Sequence, residues 1–118
     1  MTDQELLELA ADAMGWVKPL HYGKKSNSLI WASSSGFPTA WAPLNDDKDA
    51  FDLMVTLGIA VFHGWTFADE KIPYANVYAE HAPSKISLAE IKGDDPKSAT
   101  RRAIVRVAAE MAKIKEIA

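Results

Sequence analysis

The chain contains no cysteine in its 118 residues. Disulfide staples, thiolate-bound metals and a cysteine nucleophile are thereby excluded, and a reducing cytoplasm is the expected location. No apolar run approaches the roughly 20 residues a membrane-spanning helix needs, so no membrane partner is expected. The opening Thr2-Asp3-Gln4-Glu5 is acidic and lacks an apolar secretory core, so no signal peptide is expected. Glycine and proline, six of each, are too few for a low-complexity chain. Arginine is scarce too: the three present are Arg101, Arg102 and Arg106. With 13 basic against 16 acidic side chains the net charge is −3, which does not favour a strongly polyanionic partner.

Recognisable catalytic motifs are also missing. The sequence has no Gly-x-Ser-x-Gly elbow, no Walker phosphate loop and no dinucleotide glycine pattern. Ser33-Ser34-Ser35-Gly36 reads as a turn. His21, His63 and His81 form no His-x-x-x-His pair on a helix. His63 and His81 meet only if their strands are neighbours, and with Glu80 they would make a poor metal site. The acidic run at 45–49 lacks the glycine and the late glutamate of a calcium loop, and Lys48 interrupts it. Helix capping explains that run better. No metal and no cofactor is expected, and no nucleophile–base pair can be assembled.

What is present suits one globular domain, with 48% hydrophobic and 25% charged residues. Thr2 and Glu5 form a capping box for a helix over 3–14, with Leu6, Leu7, Ala10, Ala13 and Met14 on one face and Gly15 as the stop. Residues 16–27 read as loop, 29–32 as a short strand, and Ser33 to Gly36 with Pro38 as a turn. Asn45 or Asp46 caps a second helix, with Asp47 and Asp49 in its first turn. Ala50, Phe51, Leu53, Met54, Val55 and Leu57 cover more than half of that helix, so it is expected to be packed on more than one side. Strands are expected over 59–65, 75–80 and 85–91, the first two joined by a polar loop holding Asp69, Glu70 and Pro73. Asp95 caps the last helix, with Pro96 at its first position. Its apolar stripe is Ile104, Val107, Ala108, Met111 and Ile114, and Arg102, Arg106 and Lys113 point the other way. Arg101, at the border, is expected to reach Asp46, Asp47 or Asp49 in a structural role that Arg102 does not share. These elements predict an α+β three-layer sandwich: a mostly antiparallel sheet of three or four strands, with the terminal helices on one face and the second helix on the other.

Two features bear on function. Residues 97–118 carry Lys97, Arg101, Arg102, Arg106, Lys113 and Lys115 against Glu110 and Glu116. Arg102, Arg106 and Lys113 suit a phosphate or a carboxylate-rich partner, or simply a solvated helix face. Aromatic residues are concentrated in expected loops and strand ends: Trp16, Trp31, Phe37, Trp41, Trp65 and Phe67. Trp31, Phe37 and Trp41 flank the serine-rich turn as the most exposed candidates for an interface, which a homodimer would use. The alternative is that these rings close the ends of the sandwich.

The words Asp95-Pro96-x-x-Ala99-Thr100-Arg101-Arg102-Ala103-Ile104-Val105-Arg106-x-Ala108-Ala109-Glu110 and Trp41-x-Pro43-Leu44-x-Asp46-Asp47-x-Asp49-Ala50 resemble the phage ABA-sandwich domain family. The opening Thr2-Asp3-Gln4-Glu5-Leu6-Leu7-Glu8-Leu9-Ala10-Ala11 is similar to that family's first helix. The resemblance implies a sheet between helical layers and a phage or prophage context, without an activity. The chain departs from the pattern at Ala42, where the family often has Asn, and at Lys48, where it often has Gly. The function expected is a non-enzymatic accessory module binding a host or phage protein. Nucleic-acid binding through the last helix is one alternative. A small-ligand protein or hydrolase with a pocket near His63, Tyr78 and His81 is another.

Overall fold

The computed structural model describes residues 1–19, 21–31, 39–69 and 72–117, with side chains described except at 65–69, 72–75, 116 and 117. Its elements run α1 (Asp3–Ala13), β1 (His21–Gly23), β2 (Ser28–Trp31), β3 (Thr39–Trp41), α2 (Asp47–Leu57), β4 (Ala60–Asp69), β5 (Ile72–His81), a 3-10 turn (Ala82–Ser84), β6 (Ile86–Ile91) and α3 (Pro96–Ile117).

The helices start where local chemistry directs. The Thr2 hydroxyl accepts from the Glu5 N–H at 3.1 Å, and the same hydroxyl donates to the Glu5 carboxylate. Asp46 accepts from the Lys48 and Asp49 N–H groups, and Asp95 from the Ser98 N–H. α1 and α2 end alike, with glycine in the left-handed region: Gly15 at φ 76° and Gly58 at φ 71°. In both, the residue after the glycine donates back into the helix, Trp16 to Ala11 O and Ile59 to Met54 O. This Schellman closure turns the chain sharply, and an apolar residue follows each glycine. Ile59 enters the core.

The fold is α+β, but the expected single sheet of three or four strands is replaced by two antiparallel sheets, ordered β1-β2-β3 and β4-β5-β6. β1 falls within the stretch read as loop, because three residues are too short to print an alternation. β4 and β5 reach further than expected, pairing out to Asp69↔Ile72. Pro73 therefore stands in a strand. It lies beyond Asn76, where β6 pairing ends, and next to a register shift at Phe67/Asp69, so the missing N–H interrupts only a one-sided ladder. The turn expected at 33–36 lies outside the described residues.

Contacts run in the order β2 to α1, α1 to α3, and α3 to β5 and β6, with α2 also on α3. The second helix thus packs on the last one. The opposite face of the β4–β6 sheet carries Phe62 and Ile91, both exposed. α3 is the hub, and its burial is wider than one stripe. Ala103, Ile104, Val105, Val107, Ala108, Ala109 and Ala112 are all buried, while Ile114 is exposed and Met111 only half-buried. Alanines on α3, with Ala10 and Ala11 on α1, let the backbones approach closely. Met111→Ala is therefore expected to cost about 1–2 kcal/mol, below the range for a fully buried methionine. A denaturant midpoint shifted by twice that would place Met111 in the core proper.

Candidate functional site

The aromatic residues converge. Trp16 follows the Gly15 closure, Trp31 ends β2, and Trp41 ends β3 opposite Leu29. Their rings pack edge to face, with centroids 5.6 Å apart for Trp16–Trp31, 4.9 Å for Trp16–Trp41 and 6.3 Å for Trp31–Trp41. The Trp31 indole N–H donates to Val17 O at 2.9 Å, which ties the chain after α1 to the first sheet.

This cluster is one wall of a groove of about 880 Å³. The other wall is α2, through Phe51, Leu53, Val55 and Thr56. Leu53 and Ala50 on α2 are buried, but Phe51 is 59% and Val55 60% exposed. The expectation that α2 is packed on more than one side fails here: its Phe51–Val55 ridge, spaced i and i+4, stays open. Across the groove Trp16 is 40% and Val17 78% exposed. Trp41 is buried, contrary to its reading as an exposed ring, because it sits directly opposite Leu29 in the core. Trp31 is half-buried. Phe37 lies outside the described residues, and nothing is described of the Trp65 and Phe67 side chains.

Two carboxylates line the groove, and both are engaged. Asp49 accepts from the Ala42 N–H at 2.9 Å, and Asp52 pairs with Lys48 at 3.0 Å. The hydrogen bond and charge of Asp52 raise the Lys48 ammonium above its usual range.

The basic helix is engaged as well. Arg101, only 15% exposed at its side chain, donates from Nε to Leu44 O at 2.8 Å and from Nη1 to Asp47 at 2.7 Å. Of the three expected acceptors, Asp47 is the one reached. Arg102 also has a carboxylate partner, Asp3 at 3.0 Å, so the contrast drawn between the two arginines does not hold. Arg106 meets Glu90 at 2.6 Å and Lys113 meets Glu110 at 3.0 Å. The Arg102 partner belongs to a longer chain of contacts that sequence reasoning missed. The Tyr22 hydroxyl donates to Asn27 Oδ1, and Asn27 Nδ2 donates to the other Asp3 oxygen at 3.0 Å. Asn27 has φ 48°, a left-handed turn position that asparagine tolerates, and this was the available sequence signal.

His63 and His81 are not brought together. His63 stands opposite Val77, four positions from His81 along β5, or about 13 Å at strand rise. His81 Nδ1 instead lies 2.8 Å from the Ser84 hydroxyl. Among the described residues no three His, Asp or Glu side chains are grouped to hold a metal ion. Comparison with protein-family models, with curated proteins and with solved structures yields no match.

Proposed function

We propose that this chain is a non-enzymatic binding module that takes a host or phage protein in the groove between α2 and the tryptophan cluster. One observation carries the reading: Trp16, Val17, Phe51 and Val55 are exposed large apolar side chains around a single groove. A contiguous apolar patch on a small domain is costly in water and marks a contact surface. Indole edges beside an open aliphatic ridge suit apolar anchors from a protein partner. The groove's volume also suits a small molecule, but its two carboxylates already have partners, so few polar groups are left to orient one. The phage or prophage setting, and with it the cytoplasm of a bacterial host, rests on the resemblance at 41–50 and 95–110. The same reading takes the domain as a layered sandwich in which the helices stand between two small sheets.

A photoreactive residue at position 51, in bacterial cells expressing the chain, is expected to capture one protein that the same residue at Ser87 does not. Phe51→Asp with Val55→Asp is expected to abolish that capture while changing stability by no more than about 0.5 kcal/mol per site, the usual range for exposed positions. Equal capture from both positions would reject the groove.

The nucleic-acid reading has no observation in its favour. Arg102, Arg106 and Lys113 are each held by a carboxylate of the same chain.

A further inference from the structure

Among the described residues two sheets present four edge strands, β1, β3, β4 and β6. An edge strand carries a row of backbone N–H and C=O groups with no strand beside them, and proteins blunt such edges by shortness, charge, proline or bulges. Three of the four are blunted here. β1 and β3 have three residues each. β6 has six, carries Glu90, and is bounded by Lys85 and Lys92.

β4 has none of these defences along most of its length. It runs for ten residues, and from Ala60 to Ala68 it contains no charged residue and no proline. Its register shift comes only at the far end, between Phe67 and Asp69. Among the described residues β5 is its one strand partner. Ala60, Phe62 and His63 are exposed, and Phe62 stacks on Tyr78 with centroids 5.3 Å apart.

We infer that the free edge of β4 pairs antiparallel with β4 of a second copy of this chain. Self-pairing suits this edge for two reasons. An uncharged strand laid against itself opposes no like charges. The pairing also closes: a twofold axis at β4 joins the two sheets into six strands ordered β6-β5-β4-β4-β5-β6. The outermost strands are then the short, charged β6 edges, so assembly stops at two copies rather than growing into a fibre. No β4 residue lines the groove between α2 and the tryptophan cluster, so this interface does not depend on what that groove binds.

Light scattering on the full chain, from low micromolar to millimolar concentration, is expected to show a monomer passing to a dimer and no larger species. Ala60→Lys with His63→Lys places charge on exposed positions of both paired edges. It is expected to weaken self-association by more than roughly tenfold while the circular dichroism spectrum stays that of the parent. Val55→Asp, at a residue that lines the groove and not the cavity beside His63, is expected to dimerise as the parent does. Hydrogen exchange gives a readout that does not rest on a variant: amides at 60–69 gain protection as concentration rises, and those at 86–91 do not. A parent chain monomeric throughout, a dimer that survives the lysine pair, or a dimer lost in Val55→Asp would each overturn the inference.

Discussion

Leu7→Ala is expected to remove about 3–5 kcal/mol of stability, the cost of emptying a fully buried leucine site. Leu7 is 0% exposed, and its helix packs on α3, the element that also contacts α2, β5 and β6. Collapse around the vacancy is limited, because α1 and α3 already approach through alanines, which have no side chain to swing inward. The melting midpoint should fall by on the order of 10–20 °C in a domain of this size. Thermal unfolding by circular dichroism checks this. A fall of only a degree or two would mean that the α1–α3 interface is not the centre of the core.

Arg101→Ala is expected to cost about 1.5–3 kcal/mol, although surface ion pairs are usually worth far less. The Asp47 carboxylate is largely exposed and contributes the smaller part. The larger part comes from the Nε–H bond to Leu44 O, at a point where Pro43 and Leu44 are buried, and from the mostly buried Arg101 side chain itself. Most of the loss should therefore persist in high salt, which screens the pair with Asp47 and leaves the bond to the carbonyl. Arg101→Lys should recover less than half, since an ammonium cannot serve Leu44 and Asp47 from one rigid plane. Equal denaturant midpoints for parent and alanine variant would show that Arg101 holds nothing together.

Helix starts were legible because their chemistry is local. Thr2 with Glu5, Asp46, and Asp95 with Pro96 each act within one turn. Strand pairing was not, because it is settled between distant segments. Nothing near 21–23 or 28–31 says that these strands form their own sheet. Asp69 and Pro73 look like loop residues until a one-sided hairpin is seen to accommodate them. The candidate site was half legible for the same reason. Trp31 and Trp41 could be named from the sequence, but the pairing of Leu29 with Trp41 takes one of them into the core, and Trp16 is the more exposed ring. A helix apolar on most of its circumference does not say which side will be left open, so the Phe51–Val55 ridge appears only in three dimensions. The carboxylates that hold Arg102 and Arg106, Asp3 and Glu90, are likewise on other elements.

The packing of α1 on α3 also sets the order of events during synthesis. α1 is complete at residue 13 and α3 does not begin until residue 96. Leu6, Leu7, Ala10 and Ala11 therefore leave the ribosome with no partner, and the β4–β5 hairpin follows before the helix that covers it exists. The elements from α1 to β6 must wait, partly collapsed, for α3. Closing so long a loop slows folding, and the waiting species exposes apolar surface that a chaperone would recognise. A ribosome stalled before residue 96 should hold a chain open to protease along its full length, and release of α3 should convert it to the protected form in one step.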